Sequence, residues 1–209
     1  MFTPNTHTRA IAALALLGSL TLAACDSTEP EDGAGEEELI TQVTLTLTPV
    51  GGGSAVTITA SDPDGNQTLD TFSPSTLALA PGTTYNGSIE LTDTINGEDI
   101  TDEIREEAEE HLFRYTLQPT SLGTATVTDT ESDYTSENDN GGDFAVGLDF
   151  QVTTAAGASG NGTLDAVLYH FDEGPKTSST ATSDETDIDI AFPVAVQGSA
   201  LQDTPVARR

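Results

Sequence analysis

The stretch Gln42-Val43-Thr44-Leu45-Thr46-Leu47-Thr48 alternates apolar and polar residues without a break. Successive side chains of an extended chain point to opposite faces, so Val43, Leu45 and Leu47 share one face and three threonines the other. The same pattern continues in both directions. Gly51-Gly52-Gly53-Ser54 turns the chain, and Val56 and Ile58 carry a second strand. Leu77 and Leu79 precede Pro81-Gly82; Tyr85, Gly87, Ile89 and Leu91 then line one face. Further strands run through Phe113, Tyr115 and Leu117, around Val127, through Leu148, Phe150 and Val152, and through Leu164, Ala166 and Leu168. The last carries Ile188, Ile190, Phe192, Val194 and Val196, and Pro193 within it suggests a sheet edge or a bulge. Seven to nine short strands over residues 39–197 predict an all-β, Ig-like β-sandwich around a single core. Residues 198–209 are expected to form a disordered tail.

One segment breaks the alternation. Ile100, Ile104 and Ala108 recur at four-residue spacing among acidic residues, which predicts one short helix over 102–109 that leads straight into the strand from His111. Glu106, Glu107, Glu109 and Glu110 would oppose the helix dipole at its C-terminal end, so a cation should sit nearby. Sodium ions, Arg114 or a divalent metal are the candidates.

The chain starts with an apolar run, Ala10 to Ala24, that ends in Leu22-Ala23-Ala24-Cys25 and holds no acidic residue. As a helix it would reach about 22 Å, short of the ~30 Å hydrocarbon core, so it reads as an export signal over 1–24. The four residues around Cys25 resemble the lipobox of bacterial lipoproteins. That resemblance implies cleavage before Cys25 and attachment of acyl chains at its sulfur. The chain has a single cysteine, which rules out an internal disulfide. Residues 25–38 follow as the lipidated cysteine and an acidic tether that cannot bury apolar surface, and the thirteen residues from Asp26 to Glu38 span at most ~45 Å. The acidic run after the cysteine is similar to stretches that send lipoproteins to the cell surface. In enterobacteria, Asp after the cysteine resembles an inner-membrane retention signal. The expected location is the cell envelope, lipid-anchored, with the outer membrane or cell surface ahead of the inner membrane.

The formal net charge of −29, with one lysine, excludes nucleic-acid binding, which depends on Lys and Arg for counterion release. The acidity fits solubility at high salt (a halophilic surface), divalent-cation binding or a basic partner.

Two histidines outside the export signal could carry chemistry. His111 has the parity of Phe113, Tyr115 and Leu117, and His170 that of Leu164, Ala166 and Leu168. If their strands pair antiparallel, both imidazoles meet at one end of the sandwich, beside Glu109, Glu110, Asp172 and Glu173. Two histidines with a carboxylate form a Zn or Cu ligand set, so His111, His170, Glu110 and Asp172 are the candidate metal residues. The alternative is that each histidine packs at the core edge beside an aromatic ring. The loop Asp62-Pro63-Asp64-Gly65-Asn66-Gln67-Thr68-Leu69-Asp70 spaces Asp62, Asp64, Asn66 and Asp70 like the start of a Ca²⁺ loop. Asp-Gly between strands is equally a hairpin signal. The second acidic loop, through Asp129, Glu131, Asp133, Glu137, Asp139 and Asp143, reads as solvated. No nucleophile elbow, phosphate-binding loop or zinc-protease helix is present, and no enzymatic activity is expected.

The lipobox, Glu-Glu-Glu-Leu-Ile-Thr (36–41), Pro-Gly-Thr-Thr-Tyr-Asn-Gly (81–87), Glu-Glu-His (109–111) and Glu-Thr-Asp-Ile (185–188) together resemble an uncharacterised family of bacterial lipoproteins. Members of that family sometimes carry the label "type 1 periplasmic binding fold". The label implies an α/β fold, against the alternation. The resemblance implies a place beside an outer-membrane receptor or other envelope protein. The expected function is a membrane-anchored accessory module that binds a ligand or metal, with a role in uptake. The alternative is a structural or adhesive surface module whose acidity is salt adaptation alone.

Overall fold

The alternating stretch forms strand β1 (Gln42–Pro49), with Val43, Leu45 and Leu47 fully buried. In this computed structural model residues 39–66, 68–135, 141–171 and 174–197 are described, all within the compact unit 34–209. The signal segment 1–24, Cys25, the tether 25–38, Asp172 and the tail 198–209 lie outside the described residues.

β1 is flanked by β2 (Val56–Ser61) and β5 (Thr84–Thr92), both antiparallel to it. With β3 (Thr71–Ser73), β8 (Asp149–Thr154) and β7 (Gly123–Val127) they make a six-stranded sheet, ordered β3-β2-β1-β5-β8-β7. The second sheet is ordered β4-β10-β9-β6, from β4 (Leu77–Leu79), β10 (Glu185–Val196), β9 (Gly160–His170) and β6 (His111–Gln118). The apolar faces close on one core, in which Tyr115 stacks on Phe150 of the opposite sheet at 3.9 Å between ring centres. On the outer face threonines pair across strands, Thr44 with Thr59 at 3.2 Å and Thr46 with Thr57 at 3.1 Å. Such cross-strand pairs fix register without burying anything.

The chain is therefore an all-β sandwich, and the α/β implication of the periplasmic-binding label is not met. Among the described residues ten strands stand where seven to nine are expected. The strand that alternation misses is β3, three residues with the single apolar side chain Phe72. Pro193 is not at the bulge of β10, which falls between Thr186 and Ile188. β4 covers the outer edge of β10 only from Val194 to Val196, so Pro193 sits just before the covered part. Among the described residues no helix is long and apolar enough to cross a membrane.

The helix α1 (Ile100–Glu106) begins two residues earlier than expected and ends three earlier. Its cap is Asp99, whose side chain accepts from the Thr101 N–H at 3.1 Å. Thr101 turns inward, its hydroxyl donating to the Leu91 carbonyl at 3.1 Å. Most of the acidic run thus lies beyond the helix, and the cation beside it is Lys176, the only lysine. Arg114 points elsewhere and donates to the Thr180 carbonyl at 2.6 Å.

Lys176 is fully buried. Its Nζ donates to the carbonyls of Ala108 and His111 and pairs with Glu131 Oε1 at 3.0 Å. The connection from β9 to β10 is thereby pinned to the start of β6 and to the loop after β7. That loop is not the solvated segment its acidity suggests. Asp129 and Glu131 are buried: Asp129 accepts from Gly147 N, Asp149 N and Tyr134 Oη at 2.8, 3.1 and 2.7 Å. Glu131 Oε2 accepts from the Phe144 N–H at 3.1 Å. Glu137 and Asp139 lie outside the described residues. Removing one member of a buried ion pair costs about 3–5 kcal/mol, because the other charge stays desolvated. Urea unfolding of Lys176→Met is expected to show a loss of that size, and Lys176→Met/Glu131→Gln a smaller one.

Candidate metal centre

β6 and β9 pair antiparallel from His111↔His170 to Gln118↔Thr163, so the two histidines stand directly opposite each other. Both point to the core side, at 0% and 4% exposure. Their rings stack with centres 4.5 Å apart and planes inclined by 24°.

The turn after α1 brings in the carboxylate. Glu107 caps the C-terminus of the helix, and its carbonyl accepts from the Glu110 N–H at 2.9 Å. The same carbonyl lies 3.2 Å from His111 Nδ1. A carbonyl only accepts, so this contact puts the proton on Nδ1 and leaves the lone pair on Nε2. Neither His111 Nε2 nor His170 Nε2 has a hydrogen-bond partner, and both are sealed from solvent. Glu107, His111 and His170 each offer a donor atom, all within 4.8 Å of one another.

The electrostatics favour lone pairs over charge. Burial, then the neighbouring His170 and Lys176, pushes His111 down to about 4, partly opposed by its bond to Glu107. At neutral pH it is an uncharged imidazole, the form that binds a metal ion. The Glu107 carboxyl is raised by burial, with Glu103 and Glu106 adding to the shift and His170 opposing it.

Of the carboxylates expected here, Glu110 is half-buried but is not in the group of converging donors, and Asp172 lies outside the described residues. Sequence reasoning missed Glu107 because it assigned that residue to the helix. The spacing Glu107-x-x-x-His111 could have raised it. It also missed Asp187, which lies 3.7 Å from His111 Nε2 and 3.4 Å from His170 Nδ1 with its side chain 3% exposed. Strict alternation with Ile188 and Ile190 turns residue 187 outward; only the bulge between Thr186 and Ile188 brings it in.

The loop proposed for calcium is organised as a turn. Asp62 is buried and accepts from the Thr68 N–H at 3.2 Å, while Asp64, Asn66 and Asp70 are exposed. Asp70 accepts from the Thr71 hydroxyl at 3.2 Å. Asp62, Asp64 and Asp70 form no converging group of the kind that joins Glu107 to the histidines.

These features define the class, an all-β sandwich with a buried, in-register histidine pair beside carboxylates. No family model matches the sequence, and no curated protein does. Among solved structures the chain is similar to domains 4 and 5 of the S-layer protein SbsC, at 14% identity over 73% of this chain and 75% of that one. The TM-score is 0.29, a degree of likeness that transfers no function.

With His111 at about 4 in the fold and 6.5 as its ordinary value, the unfolded chain binds the extra proton between those limits. Stability of the metal-free protein should therefore fall as pH drops from 7 to 4, by at most about 3 kcal/mol from this group. Urea unfolding at pH 7, 5.5 and 4 checks it: His111→Gln should flatten the slope, and parallel slopes for the two proteins refute the assignment.

Proposed function

We propose that this chain is a lipid-anchored envelope protein whose sandwich holds a divalent transition-metal ion, of the Zn²⁺ type, at Glu107, His111 and His170. The observation that carries the reading is the pair of buried imidazole Nε2 atoms with no hydrogen-bond partner. Leaving a buried polar atom unsatisfied costs about 1–3 kcal/mol, so two side by side are expensive as mere packing. Two imidazoles and one carboxylate are a familiar zinc donor set. The His111 Nδ1 contact to the Glu107 carbonyl supports it further, since a hydrogen bond from the far ring nitrogen is what orients a metal-binding imidazole.

The anchor rests on Leu22-Ala23-Ala24-Cys25 and the apolar run before it. Acyl chains at Cys25 would tether the domain by residues 25–38, each buried methylene adding about 0.8 kcal/mol. The acidic surface keeps such a domain soluble at high salt and raises the local concentration of cations. An accessory role in cation uptake, beside an outer-membrane receptor, follows from this combination.

Equilibrium dialysis of the purified protein with Zn²⁺ should give one site per chain, lost in His111→Ala and in His170→Ala. Equal binding by all three proteins overturns the metal reading. Radiolabelled palmitate should enter the wild-type protein but not Cys25→Ser in a Gram-negative host, and an unlabelled wild type removes the anchor.

A further inference from the structure

The edge of a sheet attracts further strands, because its outward N–H and C=O groups can still pair. β10 has such an edge. On one side it pairs with β9 along its whole length, whereas β4 takes up the other side only at Val194, Ala195 and Val196. The path of the chain is the cause. It leaves β3 in the first sheet at Ser73, crosses through residues 74–76, and joins the second sheet at Leu77, level with Val194. Among the described residues no strand pairs with residues 188–192 on that side. Pro193, which has no N–H, bounds the open length at one end, and the bulge between Thr186 and Ile188 bounds it at the other. Five residues at about 3.3 Å each give an edge of roughly 17 Å.

A groove of about 520 Å³ follows this edge, between β10 and the segment leading into β3. Its floor is apolar, made by Ile40, Leu69, Phe72, Ile188 and Ile190. Leu69 and Phe72 are only half-buried, so an apolar side chain entering the groove would complete their cover. Phe72 sets its ring edge-on to Phe192, 6.1 Å between centres, which joins the groove to the core. Two exposed carboxylates border it, Asp70 and Asp189, and no Lys or Arg lines it. Asp187 borders it too, with its carboxylate turned to His111 and His170.

These features select an occupant. A strand laid against β10 alternates with the same period of two, so every second side chain drops onto Leu69 and Phe72. The side chains between them stand on the outer face beside Asp189, where opposite charge is favoured across strands. A second copy of this chain does not suit the edge. Antiparallel pairing of two such edges would crowd both Asp189 carboxylates between bodies that each carry a formal charge of −29.

We propose that residues 188–192 of β10 are a docking edge for an extended segment of another protein, one that alternates apolar residues with Lys or Arg and adds to the second sheet as a strand. Main-chain hydrogen bonds hold the segment, the apolar floor reads alternate positions, and Asp70 and Asp189 read the charge of the others. The proposal is independent of the metal reading, since Glu107, His111 and His170 do not line the groove.

The test uses the full chain carrying Cys25→Ser and an end-blocked peptide, Thr-Val-Arg-Val-Arg-Val-Arg-Thr, in about 0.15 M salt. The peptide should bind and slow amide hydrogen exchange within residues 188–192. The same peptide N-methylated at its four central residues keeps every side chain and charge but cannot pair as a strand, and it should bind roughly tenfold more weakly or worse. Asp70→Lys/Asp189→Lys should weaken the unmodified peptide by about the same factor. Glu90→Lys/Glu98→Lys, which reverses two exposed acids away from the groove, should match the parent. Equal binding of the N-methylated peptide overturns the proposal, as does an equal loss in both double variants, which marks general attraction to an acidic surface. So does a parent that binds no peptide up to about 1 mM, or bound peptide that leaves exchange in residues 188–192 unchanged.

Discussion

The pairing of β6 with β9 is the constraint on which the rest depends. It is continuous over eight residue pairs, and its first pair sets His111 against His170. Because side chains alternate with period two, a slip of one residue would send every core side chain of β6 to solvent. Phe113, Tyr115 and Leu117 hold the register through burial, and Tyr115 adds a bond from its hydroxyl to the Gly147 carbonyl at 2.6 Å. The histidines inherit their position from that apolar ladder. Their chemistry rests on a register that hydrophobic packing enforces further along the same strands.

Around this pair the fold spends its scarce positive charge where the backbone needs it. The end of α1 and the start of β6 present carbonyls to the interior, and Lys176 satisfies two of them while Glu131 balances its charge. Burial lowers the basicity of that ammonium, whereas its bond to Glu131 and the nearby Asp129 and Glu109 carboxylates raise it. A hydrophobic residue could not do this, since the carbonyls would be left without donors. The clamp fixes the backbone of His111 directly, through its carbonyl, and so fixes the origin of the imidazole.

Period-two alternation made the sandwich legible from the chain alone, because each long strand keeps one dry face. It also gave the inward parity of His111 and His170, which burial bears out. Elements governed by other forces stayed hidden. The three-residue β3 has too little apolar surface to signal itself, and the helix starts before residue 102 because Asp99 supplies its cap. Asp187 was invisible for a stronger reason: a bulge inverts parity, and nothing in Glu185-Thr186-Asp187-Ile188 announces one. Composition likewise hid Lys176, Asp129 and Glu131, which look solvated by type but are buried as partners or hydrogen-bond acceptors.

The interior placement of Lys176 changes how the folded domain meets reactive chemistry. It is the sole lysine of the chain, and it lies at 0% exposure. The native surface accordingly offers no side-chain amine to acylating reagents, aldehydes or modifying enzymes. Acylation at that position becomes a record of opening: it can accumulate only as fast as the segment around Lys176 leaves its carbonyl partners. A single nitrogen thus serves as a built-in counter of the domain's excursions from its native state.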